Sequence, residues 1–247
     1  MDFLQAFSLG LLQGFTEFLP VSSSGHLFLA QYFWDLTPNL HFEILLHVAS
    51  LFAVIILFWK KIPILFQPQK DQQQLGLKLL VATFFTFPLA YLIQKNFDAL
   101  LSLQLVATTL IITGFLILIA EKFRPKTERT FSWKMAVLLG LVQGFAPLPG
   151  ISRSGITIAY LIFAGLKRQH AAEISFLLAI PTILAALVFS WLEQGSQIIL
   201  TSQVIFACII AFFAAIAAMK WMMKLVEKKW IYFAPYCFIL GVILFLV

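Results

Sequence analysis

A chain of 247 residues with 61% hydrophobic side chains, only 11% charged ones and recurring apolar stretches of about 20 residues is built to cross a hydrocarbon core of about 30 Å several times. The net charge of +6 does not point to nucleic acid, because in a membrane chain an excess of Lys and Arg marks the cytoplasmic loops. Cys208 and Cys237 lie in apolar segments with no His or Cys at ligand spacing; this excludes a metal or redox role and leaves them as small core hydrophobes.

The first apolar run, Phe3 to Leu12, has no basic stretch before it and no small-residue cleavage site after it, so it is expected to belong to the fold rather than to a removed signal. It leads into GFTEFLPVSSSGHL, Gly14 to Leu27, where Pro20 and the serines up to Gly25 break the helix. Non-helical backbone survives at membrane depth only where protein or a water-filled cavity satisfies its amides, so a re-entrant helical hairpin is predicted over about 2–34. Three uninterrupted apolar segments follow, about 44–59, 76–94 and 101–120, and complete a first repeat over 1–121. A basic linker, 122–134, comes next.

Beyond the linker the pattern returns. GLLQGFTEFLPVSSSG (Gly10 to Gly25) aligns with GLVQGFAPLPGISRSG (Gly140 to Gly155) at a constant offset, and the same offset carries Glu43 onto Glu173. A second hairpin is predicted over about 135–166, with segments at about 174–190, 203–221 and 231–247 completing a second repeat over 135–247. A hairpin makes no net crossing, so each half crosses three times and the second half must be inverted relative to the first. The fold class is therefore an all-α polytopic membrane protein with an inverted-topology repeat, each half a re-entrant hairpin plus three transmembrane helices. Threaded this way, every basic residue except Lys95 and Arg153 falls on one side, which makes that side, and the linker with it, cytoplasmic. The first hairpin and both termini then lie on the extracytoplasmic side, the second hairpin enters from the cytoplasm, and their tips meet near the midplane.

At those tips Glu17, His26 and Arg153 are ionisable groups at membrane depth, each costing several kcal/mol unless paired or facing a polar cavity. Two readings stand side by side: a buried Glu17–Arg153 ion pair that only holds the hairpins together, or a functional site. Ser22, Ser23, Ser24, Ser152 and Ser154 suit helix N-caps, and helices starting near Ser24 and Ser154 aim two positive dipole ends and unpaired N–H groups into one cavity. With Arg153 added, such a cavity suits phosphate or pyrophosphate, and Gly25, Gly150 and Gly155 let the backbone approach it. A glutamate would repel a merely bound phosphate, so Glu17 argues for chemistry, with serine as nucleophile and Glu or His as proton acceptor. A carboxylate beside a diphosphate can also share a divalent cation with it.

These motifs resemble the undecaprenyl-diphosphate phosphatase family. The first motif reads Gln13, Glu17 and then FLPVSSSGH, Phe18 to His26; the second reads PGISRSGIT, Pro149 to Thr157; FE at Phe42-Glu43 and FLLAIP at Phe176 to Pro181 extend the similarity. The resemblance implies a bacterial plasma-membrane enzyme that cuts a polyprenyl diphosphate, with Mg²⁺ or Ca²⁺ held by Glu17. It implies Glu17, Ser23, His26 and Arg153 as catalytic residues, with Gln13, Ser22, Ser24, Gly25, Gly150, Ser152, Ser154, Gly155 and Thr157 binding substrate. Many members carry an acid where Gln13 stands; glutamine cannot ionise, so Gln13 is expected to orient rather than react, and Gln143, its repeat mate, shares the limitation.

Three nucleophiles stay open, Ser23, His26 or water. The alternative function is a polyprenyl-phosphate flippase or secondary transporter, which the architecture alone favours; Glu17, Ser23 and His26 in close succession favour the enzyme, because transport needs no nucleophile. His41 and His47 read as interfacial or packing residues, His170 as a solvated loop residue, and Glu43 and Glu173 as ties between hairpins and helices. The partners expected are the lipid substrate and the bilayer, without nucleic acid; a homodimer is allowed by this reading and not required by it.

Overall fold

A computed structural model describes the chain apart from residues 38, 67–69, 195–199 and 247. Every regular element among its described residues is helical, without strands, and the α-helices are α1 Phe3–Phe18, α2 Ser23–Phe33, α3 Leu40–Leu57, α4 Lys70–Lys95, a single turn α5 Phe97–Leu100, α6 Leu103–Lys122, α7 Trp133–Gln143, α8 Arg153–Phe163, α9 Arg168–Gln194, α10 Ser202–Leu225 and α11 Phe233–Leu246. Side-chain caps set many of the starts. Asp2 forms a reciprocal box with Gln5, and Ser22, Asn39, Ser102, Ser132, Ser152 and Thr201 each accept a backbone N–H three residues on.

Among the described residues four helical segments are long and apolar enough to cross a membrane: Gln74–Lys95, Leu103–Lys122, Arg168–Leu192 and Ser202–Leu225. Of the other two crossings expected from sequence, α3 has 18 residues and α11 only 14. Of the hairpin helices, α1 has 16 residues and α2, α7 and α8 have 11 each, the latter about 17 Å at the helical rise. Large apolar side chains such as Phe84, Phe213 and Leu246 stand exposed, as a surface solvated by hydrocarbon requires.

Packing exchanges elements between the halves. The first hairpin helix, α1, lies along α10, and its repeat mate α7 lies along α4; α3 packs on α10 as α9 packs on α4, while α6 and α11 pair with each other. Glycines permit the two hairpin contacts. A Cβ on Gly10 or Gly14 would sit 2.3 or 2.4 Å from a carbonyl oxygen of α10, and one on Gly140 2.2 Å from a carbonyl oxygen of α4.

The backbone breaks between the paired hairpin helices are satisfied from neighbouring elements. The Leu19 carbonyl accepts hydroxyl bonds from Ser154 (2.8 Å) and Ser152 (3.4 Å), and the Pro149 carbonyl accepts one from Thr109 (2.5 Å). Gly150 takes φ +88°, and a Cβ there would lie 2.1 Å from the Thr109 hydroxyl; the tip of the first hairpin meets it at Gly25, whose own Cβ would lie 3.2 Å from the Gly150 Cα. Ser22 holds φ 70°, a left-handed conformation costly for serine, while capping α2.

Candidate active site

Glu17 lies in the last turn of α1 as a buried side chain, and both of its carboxylate oxygens are engaged. Oε1 receives a 2.6 Å bond from Arg153 Nη2. Oε2 receives Ser23 Oγ at 2.7 Å and Gln13 Nε2 at 3.1 Å, and His47 Nε2 stands 3.3 Å away. Gln13 is one helical turn before Glu17 on α1, so the amide reaches the carboxylate along one face. Its other amide atom, Oε1, is buried without a partner among the described residues, as is Oε1 of Gln143.

Ser23 and Arg153 are repeat mates, and each is the first residue of its helix: Ser22 caps α2 and Ser152 caps α8. The first amides of a helix have no carbonyl four residues back, so α2 and α8 both bring N–H groups and the positive end of a helix dipole to this point. Arg153 is anchored by Nη1 on the Ser175 carbonyl at 3.1 Å, with its guanidinium carbon 5.6 Å from the centre of the Phe18 ring. These bonds fix the guanidinium plane and leave N–H donors unspent.

Glu17, Ser23, Ser24, Arg153, Glu43 and His47 line one end of a cavity of about 460 Å³. Elsewhere its walls are mostly apolar, with Phe84, Phe87, Ala90 and Tyr91 from α4 and Ile183, Ala185, Ala186 and Phe189 from α9, interrupted by Thr83, Gln94, Thr182 and Ser190. Gln143 reaches it from α7 and donates to Thr86 at 2.9 Å. A polar end with two helix N-termini and a long apolar wall suits an anionic headgroup on a hydrocarbon tail.

Not every expected residue is here. His26 gives both ring nitrogens elsewhere, Nδ1 to the Ser22 carbonyl at 2.7 Å and Nε2 to the Tyr236 hydroxyl at 2.6 Å, with its ring stacked on Tyr236. It pins the start of α2 to α11 and does not line the cavity. The Ser152 and Ser154 hydroxyls turn to the Leu19 carbonyl, and Thr157 bonds Ser175 at 2.6 Å, so these three join hairpin to hairpin and α8 to α9 rather than facing the cavity. Ser22, Gly25, Gly150 and Gly155 serve caps and close backbone approach. Glu43 ties α3 to the hairpin through Gln31 at 3.1 Å and also faces the cavity.

His47, read from the sequence as an interfacial or packing residue, packs against Glu17: one helical turn after Glu43 on α3, it donates Nδ1–H to the Glu43 carbonyl at 2.7 Å and turns Nε2 to Glu17. Glu43 and His47 four apart on a largely apolar helix share one face, a pattern that names no partner on another helix.

The donor set does not fit a resident divalent cation. Glu17 has Arg153 on one oxygen and Ser23, Gln13 and His47 on the other, and among the described residues no three His, Cys, Asp or Glu side chains converge as a metal site.

Relatives are similar along almost their whole length. Proteins named undecaprenyl-diphosphatase from Treponema denticola, Desulfosudis oleivorans and Thermosipho africanus are 39%, 38% and 35% identical, with 97–98% of this chain and 96–98% of each relative aligned. The family model described as bacitracin resistance protein BacA matches residues 6–243, the span that contains both broken hairpins and every group around Glu17, and the chain belongs to that family.

Proposed function

We propose that this multi-pass membrane protein hydrolyses undecaprenyl diphosphate to undecaprenyl phosphate and inorganic phosphate, recycling the lipid carrier of cell-wall synthesis. One observation carries the reading: the Ser23 hydroxyl donates to Glu17 at 2.7 Å, in a cavity whose remaining walls are mostly apolar. A serine bonded to a carboxylate is a nucleophile with its base in place. The relatives' name, undecaprenyl-diphosphatase, agrees with the lipid-shaped cavity.

In the first step Ser23 Oγ attacks the terminal phosphorus while its proton passes to Glu17. The bond from that phosphorus to the bridging oxygen breaks, and the lipid monophosphate leaves with the electron pair. Glu17 gives that proton up to the departing monophosphate; water then attacks the phosphoserine, its proton passing to Glu17 and on to the departing Ser23 Oγ, which releases phosphate and restores both groups. Arg153 and the N–H groups opening α2 and α8 face the charge that spreads over the equatorial oxygens. Gln13 orients Glu17. His26, spent on Ser22 and Tyr236, is left no part in the proton transfers. Mg²⁺ or Ca²⁺ belongs in this reading to the substrate, carried on diphosphate oxygens. Carriage of lipid without cleavage would need no contact between Ser23 and Glu17, and every group used comes from one chain.

The topology proposed is the inverted repeat, with each hairpin re-entrant. The exchanged packing of α1 on α10 and α7 on α4 supports it. The cavity draws on the early part of α3 and the later parts of α4 and α9, the ends remote from Lys60, Lys61, Lys78 and Arg168, which supports an opening on the extracytoplasmic side.

The test is phosphate release from a polyprenyl diphosphate in detergent, with Mg²⁺, by wild type and Glu17→Ala. Release by wild type and its loss by a factor of about 10³ or more in the variant is expected; no release from well-folded wild type would transfer the reading to a transporter.

A further inference from the structure

We infer that His47 is a positioning residue for Glu17: it completes the shell of the carboxylate that takes the Ser23 proton, on the side where Gln13 supplies only an amide. The inference deepens the phosphatase reading and rests on it. A carbonyl oxygen only accepts, so the 2.7 Å contact with the Glu43 carbonyl requires hydrogen on Nδ1 and fixes the ring in its plane. That anchor sets Nε2 3.3 Å from Glu17 Oε2, the same oxygen that Ser23 reaches at 2.7 Å. Arg153 holds the other oxygen. With one oxygen gripped by α8 and the other by α3, the carboxylate cannot rotate away from Ser23 without breaking a contact on each side. His47 faces the cavity and meets the Glu17 oxygen that Arg153 does not hold, so it acts on the base. Glu43 supplies the anchoring backbone and, through its own side chain, the link to Gln31 of the first hairpin, so the two elements that carry Ser23 and His47 are tied by a second route.

The experiment compares His47→Phe, which keeps the ring volume and loses both nitrogens, with His47→Gln, whose side-chain amide can still donate to Glu17. Steady-state phosphate release from a polyprenyl diphosphate should show kcat lowered by about 10²-fold in His47→Phe with KM little changed, and most of that loss recovered in His47→Gln. Unchanged kcat in His47→Phe, a loss confined to KM, or equal loss in both variants would overturn the assignment. A second arm needs no activity: thermal unfolding of His47→Phe, Glu17→Gln and the double variant in detergent. The expected Tm shifts are non-additive, the double variant falling little below the lower single one; additive shifts would show that the two side chains are not coupled and would overturn the inference. A wild type that releases no phosphate but shows coupled Tm shifts would sink the phosphatase reading, and with it the catalytic role given to His47, while leaving the contact.

Discussion

Arg153 and His26 carry charge or potential charge in the first turns of α8 and α2, yet their surroundings assign them opposite parts. The guanidinium bonds Glu17 and Ser175 through different nitrogens, a forked geometry that a lysine cannot reproduce. Arg153→Lys is therefore expected to lower kcat by about 10²–10³-fold, measured as phosphate release. His26 instead makes a strut to Tyr236, so Tyr236→Phe, which removes the 2.6 Å bond but keeps the stacked ring, should lower thermal stability by about 1 kcal/mol and change kcat by less than tenfold. A His26 that served as proton acceptor would instead make His26→Gln as inactive as Glu17→Ala. The sequence showed that a carboxylate, serines and an arginine would meet, because each is out of place in an apolar segment. It did not show which serines face inward: Ser22, Ser24, Ser152 and Ser154 are chemically alike, and only the turn of the backbone at Leu19 sends Ser152 and Ser154 to its carbonyl. His47 was illegible for another reason, since its partner Glu17 is a tertiary neighbour on a separate helix.

Among the elements, the breaks between α1 and α2 and between α7 and α8 were legible because Pro and Gly interrupt an otherwise helical pattern at equivalent places in both repeats. Helix starts expected near Ser24 and Ser154 fall at Ser23 and Arg153, one position earlier, with the preceding serine as cap in each case. Lengths were less legible. Pro88 and Pro181 lie inside long helices, continuing α4 and α9 where proline more often ends a helix. The contact between hairpin tips hangs on Gly150. At φ +88°, with Thr109 where a Cβ would go, Gly150→Ala should destabilise the folded protein by about 2 kcal/mol or more through conformation and overlap together. Thermal unfolding in detergent checks this; an unchanged midpoint would show that the tip relaxes freely.

At the scale of the whole molecule, the charges around Glu17 are already balanced inside the protein, which separates cation need from cation binding. Chelator is expected to stop phosphate release and added Mg²⁺ to restore it, because the free diphosphate carries more charge than Arg153 and two helix ends offset. Mn²⁺ titrated calorimetrically onto the lipid-free protein should give no stoichiometric binding, and binding should appear once the diphosphate is present. Tight Mn²⁺ binding without lipid would mean that Glu17 exchanges its protein partners for metal.

Ser23 and Arg153 occupy one and the same place in the two repeats, and both reach a single carboxylate. The equivalent of that carboxylate in the second repeat is Pro147, which offers neither charge nor proton, although Gln143 keeps the place of Gln13 beside it. A framework with two matching halves is thus armed on one flank only. Under the topology proposed above, chemistry can answer only from the side on which Glu17 is reached, so insertion of the chain would choose the leaflet served before any substrate arrives.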